Sequence, residues 1–155
     1  MARVHQINVN PDGGVPKHRV AATRLLEGGV EGDRQRNLRF HGGPKRAVCL
    51  YSLERLRALA EEGHPVGPGS LGENLTVEGL DWSVVRPGMR FAVGETLIEI
   101  TSETTPCANL VACFVGGDFA RVSGKRHPGW SRLYAQVLRE GMVREGDSVE
   151  AAEGA

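Results

Sequence analysis

Cys107 is the residue whose surroundings in sequence best suit it for chemistry. It lies in Thr104-Thr105-Pro106-Cys107-Ala108-Asn109-Leu110, between two patterns of different period. Upstream, Thr96-Leu97-Ile98-Glu99-Ile100-Thr101 alternates apolar and polar residues and is rich in β-branched types, the pattern of a half-buried strand. Pro106 cannot extend a ladder and biases Thr105 away from helical dihedrals. Downstream, Leu110, Val111, Ala112, Phe114 and Val115 suit a short buried helix stopped by Gly116-Gly117. The expectation is a thiol at a strand end and a helix N-terminus, where unpaired amides and the helix dipole favour loss of its proton. A thiolate is both a nucleophile and a soft metal ligand. Against this, cysteine is among the most often buried residue types, and most such cysteines are inert packing.

A second candidate runs from Gly32 to Arg46 and is polar, glycine-punctuated and without a clear period. It carries five basic residues (Arg34, Arg36, Arg39, Lys45, Arg46) against one acidic residue, Asp33. Irregular loops of this length in a compact domain are commonly functional. Two readings stand level: a solvated basic loop, or an anion site helped by the backbone amides of Gly42-Gly43. Charge reversal at Lys45 and Arg46 separates them, since only an anion site would lose ligand binding.

The elements that would hold these residues are short. Val4 to Val9 reads as a first strand closed by Asn10-Pro11-Asp12-Gly13-Gly14, and Val20 to Leu26 as a second. Ala47 to Tyr51 is a short apolar strand containing Cys49. Ser52 is a good N-cap for a helix from Leu53 to Glu62 that Gly63 ends. Gly72 to Leu80 reads as a strand entered through a polar turn. Arg90–Val93 and Thr96–Ser102 look like a hairpin leading to Pro106-Cys107, and Arg132–Arg139 with Met142–Glu150 like a final one. With seven to nine short strands, two or three helices and no βαβ alternation, the fold class is mainly β: an antiparallel, barrel-like domain with a few short inserted helices. Residues 1–150 form one domain, and 151–155 a frayed tail.

Composition narrows the function. The chain has 155 residues, enough for one core. Its 19 basic and 19 acidic residues balance, so no overall field steers it to nucleic acid or membrane. Its few aromatics sit mostly in apolar contexts, which argues against a nucleic-acid module. Three cysteines, Cys49, Cys107 and Cys113, form neither a disulfide framework nor a clustered zinc pattern, and a reducing, cytoplasmic setting is expected. There is no signal-like start and no run of about 18 apolar residues. Cys49 and Cys113 read as structural.

Gly32-Asp33, Phe40-His41-Gly42-Gly43-Pro44, Gly72-Glu73-Asn74-Leu75, Pro106-Cys107 and Gly146-Asp147 occur in this order over more than a hundred residues. Singly each is weak. Together they make the chain resemble the MOSC family, named for the C-terminal domain of molybdenum cofactor sulfurases, as a stand-alone member. The resemblance implies a β-rich fold with a pocket around Cys107. It implies either binding of molybdenum cofactor, with Cys107 as the molybdenum ligand and reduction of N-hydroxylated compounds, or carriage of sulfur as a persulfide on Cys107. A non-catalytic sulfur-delivery or cofactor-binding protein is the alternative.

On this resemblance His41 joins Cys107 as a catalytic candidate. Arg34, Arg36, Gly42, Gly43, Lys45, Arg46, Glu73, Asn74 and Thr105 become candidates for holding the cofactor, while Asp33 and Asp147 are turn formers. Many relatives carry arginine three residues before the cysteine, where this chain has Thr104, so any contact that arginine makes with an anionic cofactor must come from elsewhere. No pyridoxal-phosphate site is expected, because the aminotransferase-like domain of full-length sulfurases is lacking. The implied partners are a cysteine desulfurase or a redox partner protein, together with a small-molecule substrate.

Overall fold

The structure, a computed structural model, describes residues 1–34 and 43–152. In chain order its elements are β1 (Arg3–Val9), β2 (His18–Val20), β3 (Ala22–Leu26), β4 (Gly29–Val30), β5 (Val48–Ser52), α1 (Leu53–Glu61), β6 (Leu75–Glu78), β7 (Arg90–Val93), β8 (Thr96–Glu103), β9 (Leu133–Arg139), β10 (Gly141–Arg144) and β11 (Val149–Ala152). Short 3-10 helices cover Pro44–Arg46, Trp82–Val84, Ala108–Cys113, Val115–Gly117 and Phe119–Val122. Eight strands form one sheet in the order β11-β7-β8-β9-β5-β6-β1-β2, and β10-β3-β4 form a second.

The mainly β class holds, and two features modify the expected antiparallel barrel. The pair β5–β6 is parallel, with Leu50 opposite Leu75, because α1 carries the chain across between them. This is the one βαβ unit among the described residues, and the strand pattern does not suggest it. Neither sheet closes on itself. The larger one nonetheless curls, since the start of β1 reaches the turn before β11: Val4 N–H donates to the Asp147 carbonyl at 2.8 Å and Gly146 N–H to the Val4 carbonyl at 2.8 Å.

Helix α1 agrees closely with the sequence expectation. Ser52 Oγ accepts from Arg55 N–H at 3.1 Å, and Leu53, Leu56 and Leu59 turn inward. Gly63, at φ +100°, ends it in a conformation that side-chain-bearing residues seldom adopt. Ile7, Tyr51, Leu56, Leu75, Ile98, Ile100 and Ala135 belong to the single buried cluster that joins the large sheet to the helix.

Two expected strands divide. Val20 to Leu26 is two strands in different sheets, since β2 pairs with β1 and β3 with β10. The expected last hairpin does not form. Strand β9 already has β8 on one edge and β5 on the other, so β10 has no free edge there and pairs with β3, Met142 opposite Arg24. In the segment before β9 one basic side chain, Arg121, packs against the helix and Trp130. Arg121 grips Glu62 through Nε and Nη2 at 2.9 and 2.7 Å, and its guanidinium stacks on Trp130 at 3.9 Å, with Arg55 against the same ring at 4.4 Å.

Candidate functional site

Strand β8 delivers the chain to Cys107 as the sequence suggests, but the segment after Cys107 is a six-residue 3-10 helix, Ala108–Cys113, not an α-helix. Cys107 is its extended N-cap residue (φ −138°, ψ 177°), and its carbonyl accepts from Leu110 N–H at 3.0 Å. Leu110 is buried and pins the segment to the core. So short a helix carries little aligned dipole, and the expected helix-terminus field largely disappears. The fold supplies access instead: Cys107 is half-buried and lines a cavity of about 70 Å³ shared with Cys49, Leu71, Asn74, Arg132 and Tyr134, with Lys17 and Arg34 also on its wall.

The residue that sequence reasoning missed is Arg132. It lies just ahead of β9 and is 6% exposed, and it lines the cavity. Its carbonyl accepts from Thr104 N–H at 2.9 Å, so the position where many relatives carry arginine touches a different arginine in this chain. The signal was present: Arg132 opens a run, Leu133-Tyr134-Ala135, whose members are all buried. A charged residue drawn inside by its neighbours needs a partner.

Beneath the cavity is a polar cluster. Asn74 Oδ1 accepts from Cys49 N–H at 3.0 Å, and Asn74 Nδ2 donates to the Asn8 carbonyl at 3.2 Å and to Asp33 Oδ2 at 2.9 Å. Asp33 also binds the Lys17 ammonium and accepts from Asn10 N–H. Asp33 is therefore more than a turn former, and Asn74, expected to orient a ligand, stands at the cavity wall with its amide bonded to Cys49, Asn8 and Asp33. Asp147 does keep to a turn, accepting from Arg144 N–H. Glu73 is fully buried and does not line the cavity. Its Oε2 accepts from Gly69 N–H and Thr76 Oγ1, while Oε1 has no partner.

The other expected site residues are dispersed. Arg34 is exposed at the cavity wall. Gly43 and Lys45 are exposed and off that wall, and Lys45 gives its carbonyl to the Thr101 hydroxyl. Arg46 is half-buried with its guanidinium 5.8 Å from the Tyr134 ring centroid. Thr105 is exposed and off the cavity wall. Arg36, His41 and Gly42 lie outside the described residues. Cys49 is buried, and that burial pushes its thiol up to about 11. Cys113 is half-buried, points its thiol at the Ser70 carbonyl at 3.4 Å, and is raised by burial as well. Burial also raises the Tyr134 phenol, which stays protonated at the cavity.

Burial raises the Glu73 carboxyl above the ordinary range, and the hydrogen bonds from Gly69 and Thr76 only partly oppose it. The folded state therefore holds the Glu73 proton at a pH where the unfolded chain has released it. This contribution to stability is complete below the unfolded value and lost as pH rises through the folded one. Glu73→Gln keeps one oxygen for Gly69 and Thr76 and places an amide where Oε1 lacks a partner. Wild type is expected to lose stability relative to Glu73→Gln as pH rises from about 4 towards neutrality. Urea unfolding of both proteins across that range reads the difference, and a flat difference would show an ordinary carboxylate.

The fold is thus a curled β domain that brings the half-buried Cys107 and the buried Arg132 to one cavity wall. The MOSC domain profile matches residues 37–150, and the chain belongs to the MOSC domain family. It is 34% identical over 131 residues to the uncharacterized protein YflK of Bacillus subtilis (strain 168), covering 84% of this chain and 58% of YflK. It is 37% identical over 126 residues to YiiM of Escherichia coli (strain K12), covering 77% of this chain and 54% of YiiM. The crystal structure of YiiM from Escherichia coli superposes with a TM-score of 0.75 at 27% identity, over the full length of this chain and 71% of that one. The matches thus span little more than half the length of the curated relatives. Among the described residues no helix is long and apolar enough to cross a membrane.

Proposed function

We propose that this MOSC protein binds molybdenum cofactor with Cys107 as the metal's thiolate ligand and reduces N-hydroxylated compounds. The observation that supports this most is the meeting of Cys107 and the buried Arg132 at one cavity. The two groups suit a cofactor that is both sulfur-liganded and anionic: a soft thiolate for the metal, and a buried cation with no carboxylate of the described residues within ion-pairing distance. When bound, the cofactor would supply the electron pair that cleaves the N–O bond, two protons coming from solvent so that the oxygen leaves as water, with the electrons drawn from a redox partner protein. The chain's own residues bind and orient. Cys107 would hold the metal and Arg132 would balance its charge, with the Tyr134 phenol, whose titration burial pushes up, on the same cavity wall.

A second reading, sulfur carriage as a Cys107 persulfide supplied by a cysteine desulfurase, is favoured by the size of the cavity. The space of about 70 Å³ beside the thiol is enough for one added sulfur atom. Metal analysis of protein produced in a host competent for cofactor synthesis tests the two together. Molybdenum near one per chain, absent from Cys107→Ser, is expected. A metal-free protein with a labile mass gain of one sulfur atom would overturn the reductase reading in favour of the carrier.

A further inference from the structure

Arg132 is positioned in a way that its neighbours leave incomplete. Its Nη1 donates to the Leu71 carbonyl at 2.8 Å, while Nε and Nη2 are both buried and without a hydrogen-bond partner. Among the described residues no carboxylate lies within ion-pairing distance of it. Glu73, the buried acid of the same region, directs Oε2 to Gly69 and Thr76 instead. Lys17, also on the cavity wall, is committed to Asp33, and Arg34 is exposed. A buried guanidinium with two idle donors is among the costlier features a fold can retain, and here the backbone holds it in place. Ser131 Oγ donates to the carbonyls of Thr104 and Arg132 at 3.0 and 2.7 Å, and Thr104 N–H donates to the Arg132 carbonyl.

Which nitrogens are idle carries chemical information. Nε and Nη2 form the side-on edge of the guanidinium, whose two parallel N–H groups match two oxygens of one carboxylate, phosphate or sulfate. We propose that Arg132 is the oxyanion-recognising residue of the Cys107 cavity, binding through Nε and Nη2 two oxygens of a ligand whose remaining part faces the thiol. This rests on the reading of the cavity as the ligand site and names the chemical class it accepts. The oxyanion is either a free inorganic ion or the phosphate end of a larger molecule, and both present the same pair of oxygens to Arg132.

Calorimetric titration of the metal-free protein with inorganic phosphate and with phenyl phosphate is the direct test. Both are expected to bind wild type. Arg132→Lys, which keeps the charge but not the paired donors, should bind roughly 10- to 100-fold more weakly, the factor for one or two charge-assisted hydrogen bonds. Tighter binding of phenyl phosphate assigns the site to the end of a larger molecule, and tighter binding of inorganic phosphate to a free ion. Equal affinity in wild type and a folded Arg132→Lys, or no heat from wild type with either probe, overturns the proposal.

Wild-type protein alone gives a second measurement, should the variant not fold. Iodoacetate, an anion, should alkylate Cys107 with saturating kinetics that phosphate suppresses, the sulfur–carbon bond forming as iodide leaves. Neutral iodoacetamide should react without saturation. Iodoacetate kinetics that are linear and indifferent to phosphate count against Arg132. Failure of iodoacetamide to label Cys107 counts against the thiol reading instead, and leaves the phosphate titration to judge Arg132.

Discussion

Cys107→Ser is expected to leave the fold intact and to remove the function entirely. The residue is half-buried at a cavity wall, so exchanging sulfur for oxygen opens little space, and the melting temperature should move by no more than about 3 °C. A hydroxyl neither ligates a soft metal centre well nor accepts a sulfane sulfur, so molybdenum content, persulfide formation and reduction of an N-hydroxylated substrate should all fall to background. The control is Cys113→Ala, which removes a thiol directed at the Ser70 carbonyl and should keep full activity. An active Cys107→Ser protein would remove Cys107 from the chemistry. Loss in Cys113→Ala equal to that in Cys107→Ser would point to a two-thiol redox cycle.

Asn74→Ala should cause the largest loss of stability of any single polar truncation near the site. The amide joins three separate pieces of chain: Cys49 N–H in β5, the Asn8 carbonyl in β1, and Asp33. Its backbone adds bonds to the same two strands, donating to the Cys49 carbonyl and accepting from Asn8 N–H, both at 2.8 Å. Alanine would leave a buried N–H and a buried carbonyl without their side-chain partner, a loss of roughly 2–4 kcal/mol and, for a domain of this size, about 5–15 °C in melting temperature. Asn74→Asp should not rescue it. One carboxylate oxygen could still accept from Cys49, but the other would set a like charge against Asp33 Oδ2, and the Asn8 carbonyl would lose its donor. Thermal unfolding of the two variants decides this, and near-wild-type stability in either would show that water or backbone adjustment replaces the amide.

Most of the local structure was legible in the residues. Helix α1, with Ser52 as its cap and Gly63 as its stop, depends on contacts within four residues, and the hairpin β7–β8 is joined through the short Gly94-Glu95 turn. Such features are decided by propensity and nearby hydrogen bonds. The same holds for the approach to Cys107, since β8 stops at Glu103 and Pro106 has no N–H with which to resume the ladder. The order of motifs from Gly32 to Asp147 carried the family because it is a property of the chain itself.

The tertiary structure alone decided which strand edges were free, and with them the fate of β2, β3 and β10. Pairing over a hundred residues, as between Met142 and Arg24, leaves no periodic trace in either strand. It also decided which polar residues face inward. Asp33, read as a turn former, is a buried acceptor in the network under the cavity. Asn74, read as a ligand contact, is spent on protein. Arg132, read as the first residue of an ordinary strand, is a buried cation on the cavity wall that Cys107 also lines. A side chain's type states what it can bind. Whether it meets water, protein or a ligand is set by the residues that distant parts of the chain bring around it, and for Arg132 those are Leu71 and Thr104, with Cys107 on the same cavity wall.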